Sequence, residues 1–197
     1  MLESATEFSK AGFTPEDSAR LAQVSSLFQN IADSEVSAGD AASFIISQMK
    51  AFGIEADKAT TILDKVNEVS NNYSVSSTDI TSALTKQSAS LAAYGNDLNK
   101  SIALVTSGTE IMTGQAGKVA RGLRTIGANI TQLAQGAKTF EIQVNGVTQS
   151  VNLWNEAGTD MLDTYQVLQQ ISGYWEDMTN AEKSSLAVTL AKKTQMD

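Results

Sequence analysis

Three sets of residues in this chain have types and spacing that could do chemistry. The first is paired carboxylates, Glu16/Asp17 and Glu176/Asp177, the kind of pair a glycosidase uses as acid and as base or nucleophile. The second is glycine-rich. Gly117-Lys118 and Gly122-Leu-Arg-Thr-Ile-Gly127 carry parts of the spacing of loops whose backbone N–H groups cradle phosphate. The third is Lys118, Arg121 and Arg124, which recur every three residues and so share one side of a helix, where they could meet an anion. Histidine and cysteine are absent. That removes imidazole acid–base work, thiol nucleophiles, disulfides and His- or Cys-ligated metals.

Each set has a simpler explanation to beat. A phosphate loop of the Gly-x-x-x-x-Gly-Lys-Ser/Thr type follows a strand, and its lysine and hydroxyl hold the outer phosphates and Mg²⁺. Here Lys118 is followed by Val119, the residue five before Gly117 is Met112, and Gly127 is followed by Ala128-Asn129. Both patterns fail. The carboxylate pairs fall at expected helix ends, where charge–dipole complementarity is reason enough for them. No catalytic, cofactor-binding or metal-ligating residue is therefore assigned, and the chain is expected not to be an enzyme. For Lys118, Arg121 and Arg124 the plain alternative is a solvated helix face. The functional reading is a patch for an acidic partner surface, such as the acidic first half of a neighbouring copy, or for passing nucleic acid. Trp154, Tyr174 and Trp175 are expected in the core or against the hairpin described below rather than at an interface.

Charge narrows the partners. The 197 residues carry 14 basic and 22 acidic groups, a net charge of −8. Such a balance argues against a general nucleic-acid binder, whose affinity comes from neutralising phosphates. The charge is uneven: residues 1–113 hold 7 basic and 14 acidic groups, 114–140 hold four basic groups and no acid, and 141–197 hold 3 and 8. Serine, threonine, asparagine and glutamine number 65, about a third of the chain. No charged leader with an apolar run follows Met1, and no stretch approaches the ~20 apolar residues needed to span a bilayer. No membrane span is expected in this segment.

The elements that must position these residues read as helices. Pro15 is the only proline, which favours uninterrupted helices. Start signals of the Ser/Thr-x-x-Asp type recur at Thr14–Asp17, Ser37–Asp40 and Ser76–Asp79; Glu55-Ala-Asp57 opens another helix less cleanly, and Asn96-Asp97 follows Gly95. Apolar stripes at helical spacing include Ile45, Met49 and Phe52; Ala59, Ile62, Leu63, Val66 and Val69; and Leu98, Ile102 and Val105. Residues 114–133 form a glycine-spaced helix with Val119, Leu123, Ile126, Ile130 and Leu133 on one face and the basic stripe on the other. The period then changes. Phe140–Val144 and Val147–Val151 alternate around Asn145-Gly146, a two-residue type I′ turn signal, which pairs Val144 with Val147, Ile142 with Gln149 and Phe140 with Val151. Thr159 is expected to cap a helix with Leu162, Tyr165, Leu168, Ile171 and Trp175 inward. Thr179–Glu182 caps a last helix, with a polar-helical ending at Ala191–Thr194.

Several segments, in order, resemble the core region of tail tape-measure proteins of long-tailed bacteriophages and prophages, a phage minor tail protein family. They are Ser37-Ala-Gly-Asp-Ala-Ala-Ser-Phe-Ile-Ile-Ser-Gln-Met-Lys-Ala-Phe-Gly53, Ala56-Asp-Lys-Ala-Thr60, Leu63-Asp-Lys-Val-Asn-Glu-Val-Ser70, Ser76-Ser-Thr-Asp-Ile-Thr-Ser-Ala-Leu84, Leu98–Met112 and Val119-Ala-Arg-Gly-Leu-Arg-Thr-Ile126. Trp175 with Met178–Leu186 resembles the stretch that follows that core. Ala191 departs from the pattern, where family members more often carry glycine. The resemblance implies a structural virion component that helps assemble the tail and set its length. It would lie in the tail-tube lumen, having been assembled in the host cytoplasm. Implied partners are other tape-measure copies, tail-tube or baseplate proteins and tail assembly chaperones, with no small-molecule substrate and no specific nucleic acid. A phage-tail cell-wall hydrolase domain and a non-viral helical adaptor or signalling module are the alternatives.

The expected fold is mainly α: a multi-helix, bundle-like domain of about seven to nine helices with one β-hairpin near 139–152. The expected segments are a helical core region at 1–137, a hairpin insertion at 138–156 and a C-terminal helical pair at 157–197, read as cut from a longer protein.

Overall fold

A computed structural model describes residues 2–192. Among these it shows nine α-helices and one two-stranded antiparallel sheet, the mainly α fold with one hairpin expected from the sequence. Residues 193–197, and with them the rest of the polar-helical ending expected after Lys192, lie outside the described residues. By contact the chain divides into two compact units: 1–92 with 97–120, and 93–96 with 121–197. The division falls inside a helix and keeps the hairpin with the helices on either side of it, unlike the three segments read from the sequence.

The first unit starts with α1 (Leu2–Lys10), α2 (Pro15–Ile31) and α3 (Ala38–Phe52), which pack on one another. α1 carries no capping signal and goes unmarked in the sequence. Its Phe8 is fully buried and meets Phe13 edge-on at 6.0 Å. The caps on α2 and α3 form as expected. Thr14 Oγ1 accepts from the Asp17 N–H at 3.1 Å, with Pro15 in the first turn, and Ser37 Oγ accepts from the Asp40 N–H at 3.0 Å. Phe28 and Phe44 bring α2 and α3 together, ring centroids 5.4 Å apart. A 3-10 turn at Ala56–Lys58 precedes α4 (Thr60–Asn72), whose Ile62, Leu63 and Val66 are buried as the stripe requires. α5 (Ser77–Ala93) starts differently from its signal. Ser76 Oγ accepts from the Thr78 N–H, Asp33 holds the Ser77 N–H, and Asp79 reaches out to the Gly114 N–H at 2.8 Å. In α6 (Leu98–Ile111), Asp97 caps Lys100 N at 2.9 Å, and Leu98, Ile102 and Val105 are buried. The uncharged polar third of the composition reaches inside: Ser4, Ser25, Gln48, Gln87 and Ser101 are all at most 1% exposed.

α7 (Ala116–Gly136) runs from the first unit into the second. In the second unit, β1 (Thr139–Val144) and β2 (Val147–Asn152) pair in the expected register, Val144 with Val147 and Phe140 with Val151. Asn145 (φ 50°) and Gly146 (φ 78°) supply the positive φ values that a type I′ turn needs, the reason Asn-Gly marks it. Ile142, Val144, Val151 and Leu153 join Ile130 and Ala134 of α7, Val167 and Ile171 of α8 (Thr164–Ser172), and Leu186 and Leu190 of α9 (Asn180–Ala191) in one core. Val147 is the exception: it shares the apolar face by alternation but lies at the turn and is 58% exposed. The hairpin is tied at its open end by Gln170, whose amide accepts from Asn152 N–H at 2.9 Å and donates to Asn152 O at 3.0 Å.

Two expectations for this unit need correction. Thr159 does not cap α8. It sits in a tight loop, where its N–H donates to Asn155 Oδ1 at 2.9 Å and its hydroxyl to Asp160 at 2.7 Å. Asp163 is the cap, in a reciprocal capping box with Gln166, so the helix begins four residues later. Trp175 does not point inward either. It lies in a 3-10 turn, 39% exposed, with Lys183 Nζ 5.5 Å above its ring, and the inward side of α8 is Thr164, Val167 and Ile171, with Tyr165 and Leu168 only half-buried. Trp154 and Tyr174 are half-buried against the core, and Trp154 Nε1 donates to Ala134 O at 2.9 Å.

Candidate interaction surface

The stripe is built by α7 alone. Gln115 precedes the helix, and its carbonyl accepts from Lys118 and Val119 N–H groups, which fixes the phase of the turns that follow. Val119, Leu123 and Ile130 are buried, with Ile126 and Leu133 partly so. That packing turns Lys118, Arg121 and Arg124 outward, and all three are exposed. Ala128, Gln132 and Gln135 continue the same exposed side, so the face is basic at its start and small or uncharged beyond. The three cations therefore lie together on one exposed side of α7.

The other sequence candidates do not converge. Glu16 and Asp17 occupy the first turn of α2, where Asp17 accepts from the Thr14 hydroxyl at 2.8 Å and Glu16 lies 3.6 Å from Arg20. Glu176 and Asp177 occupy the exposed 3-10 turn at Trp175–Asp177. Each pair stays within one turn, and the two pairs belong to different units. Gly122–Gly127 lies inside α7, where N–H groups are spent on the helix, and Gly117-Lys118 lies in its first turn with the Lys118 N–H bonded to Gln115 O at 2.8 Å. Among the described residues, no group of three or more Asp and Glu is placed to hold a metal ion. Nor is any helix long and apolar enough to cross a membrane.

One carboxylate has a role that sequence spacing only half revealed. Glu182 was expected in the cap of α9, and it does accept from Thr179 N–H at 2.8 Å. The same carboxylate also accepts from Gly146 N–H at 2.8 Å and Asn145 N–H at 3.0 Å, so it joins the hairpin turn to the helix start. Hydrogen bonds from Gly146 N–H, then Thr179 N–H and hydroxyl and Asn145 N–H, outweigh a small desolvation and hold its pKa down to about 2 from 4.5. A depressed carboxylate stabilises the fold above its unfolded pKa, and that contribution disappears as pH falls through the folded value. Glu182→Gln should therefore flatten the loss of stability between about pH 4.5 and pH 2 and weaken hydrogen-exchange protection at Asn145 and Gly146. Urea midpoints across that range, with amide exchange at the two turn residues, test it. An acid limb of unchanged steepness in the variant would refute the assignment.

A groove of about 430 Å³ lies between α4 and α6 of the first unit. Lys65 Nζ donates across it to Asn99 Oδ1 at 2.6 Å, and Glu68, Tyr73 and Glu110 stand along it. Nothing in the sequence pattern marked this pairing, because it depends on which helices become neighbours.

No solved structure matches this chain. A family profile described as "Phage-related minor tail protein" matches residues 1–192, across both units. With that match covering nearly all of the chain, the chain belongs to the phage-related minor tail protein family.

Proposed function

We propose that the chain is the core region of a tail tape-measure protein, a structural domain that contributes to tail assembly and length determination through protein–protein contacts. The observation that carries this is the family match over 1–192, read with the ordered segments from Ser37 to Leu186 that resemble tape-measure cores. The mainly helical fold supports it, because helices convert residue number into length at about 1.5 Å per residue. Its place would be the tail-tube lumen after assembly in the host cytoplasm. Its partners would be further copies, tail-tube or baseplate proteins and assembly chaperones. It would have no catalytic role, no cofactor and no small-molecule substrate.

Mass spectrometry of purified particles should find peptides of this chain in tails, and their absence would refute the structural role. An in-frame shortening or duplication of helical sequence in the parent gene should shorten or lengthen tails. Unchanged length would remove the ruler role while leaving a tail protein. Replacing Lys118, Arg121 and Arg124 together by Glu should impair tail assembly while circular dichroism stays unchanged, since all three side chains are exposed. Normal tails from that variant would return the stripe to a solvated face. Peptidoglycan turnover by the pure protein would favour a cell-wall hydrolase instead.

A further inference from the structure

The outer side of α7 has a feature that the chain's own packing does not explain. Three glycines lie well inside helices. Gly108 makes room for Val119, whose Cγ1 would stand 2.6 Å from an added Cβ, and Gly127 makes room for the Tyr94 ring. Gly122 makes room for nothing: no atom lies within 4 Å of where its Cβ would be. A glycine in a helix interior weakens it through added freedom in the unfolded chain, so an unused one needs a reason. Gly122 stands one turn after Lys118 and next to Arg121, at the edge of the basic face. A helix that is basic and locally bare suits close approach of an acidic surface.

The first unit presents such a surface in the α4/α6 groove. Its charged lining is Glu68 and Glu110, both exposed and neither in an ion pair among the described residues, and one cation, Lys65, whose Nζ is tied to Asn99 Oδ1. Val69 and Ile102 supply an apolar floor, and Thr106 adds a buried hydroxyl with no partner. Tyr73, 58% exposed, closes one end. Both halves of the match are therefore on one polypeptide: residues 114–140 hold four basic groups and no acid, and residues 1–113 hold twice as many acids as bases.

We propose that the Lys118–Arg121–Gly122 face of α7 in one copy seats in the α4/α6 groove of a second copy, with the cations against Glu68 and Glu110 and Gly122 over the apolar floor. Two different patches meet, so the contact is head-to-tail and repeats, either closing into a ring or extending as a chain. The tail-protein reading supplies its setting, but the contact is a property of the purified chain and is tested there.

Sedimentation velocity of the full 197-residue chain should show concentration-dependent association at low salt. It should weaken as salt rises, because the screening length falls from ~10 Å at 0.1 M to ~3 Å at 1 M. The double variants Glu68→Lys/Glu110→Lys and Lys118→Glu/Arg121→Glu should each weaken association by about tenfold or more, and mixing the two should restore it. Gly122→Gln should raise thermal stability yet weaken association, a split that a purely structural glycine would not give. A chain that stays monomeric at low salt overturns the proposal, as does association indifferent to these substitutions or variants that do not rescue each other. Such results would leave the tail role intact if the chain is still found in particles. Conversely, association in solution with no chain in particles would sink the tail role alone.

Discussion

Replacing Phe44 with alanine should lower the stability of the protein by about 3–5 kcal/mol, the range for removing a buried phenylalanine. Phe44 is 1% exposed, and its ring packs on Phe28 at 5.4 Å between α2 and α3. Two costs combine. The ring's apolar surface loses its burial, and the space left behind closes only in part, because Phe28 on the other side is held by the packing of α2 on α3. For a chain of this size each kcal/mol moves the melting midpoint by about 2–4 °C, so a fall of about 6–20 °C is expected. Thermal melts followed by circular dichroism measure it. A fall of under ~2 °C would mean that the α2/α3 contact does not hold this unit together.

Leu153→Ala should cost about 2–5 kcal/mol in the second unit. Leu153 is fully buried at the end of the hairpin, in the core with Val151, Val167 and Ile130. Its backbone is anchored independently: its N–H donates to Lys138 O at 2.8 Å, and its carbonyl accepts from Leu162 N–H at 2.8 Å. Truncation therefore removes side-chain packing without removing a hydrogen bond, and the loss should follow cavity size rather than loop fraying. The neighbouring Trp154 is a reporter, since its indole N–H is tied to Ala134 O. A urea midpoint shifted downward with an unchanged slope, followed by Trp fluorescence, is the expected result. An unshifted midpoint would refute Leu153 as a keystone.

What could be read in advance was local. Thr14, Ser37, Asp97 and Thr179 were legible because a cap needs only a side-chain oxygen and the N–H three residues on. The hairpin was legible because Asn145-Gly146 dictates a turn, and the turn dictates the register. The α7 faces were legible from phase alone, including the outward placement of Lys118, Arg121 and Arg124. The misreadings came where two local solutions competed. Thr159 could have capped a helix, but Asn155 captured its N–H, and Asp163 with Gln166 offered a better box. Trp175 fitted the helical stripe, but the helix ended at Ser172 before reaching it.

By itself the sequence determined most of the helices, the caps at Thr14, Ser37, Asp97 and Thr179, and the hairpin with its register, because each of these depends on residues a few positions apart, and its composition excluded histidine and cysteine chemistry. Only the tertiary structure decided which surfaces those elements share. It placed Glu182 against a turn 36 residues away, set Tyr94 on Gly127, left Gly122 facing open space, and formed the acidic groove between α4 and α6. Those outcomes rest on contacts between distant residues, whose geometry is set by how the helices pack and not by any spacing along the chain.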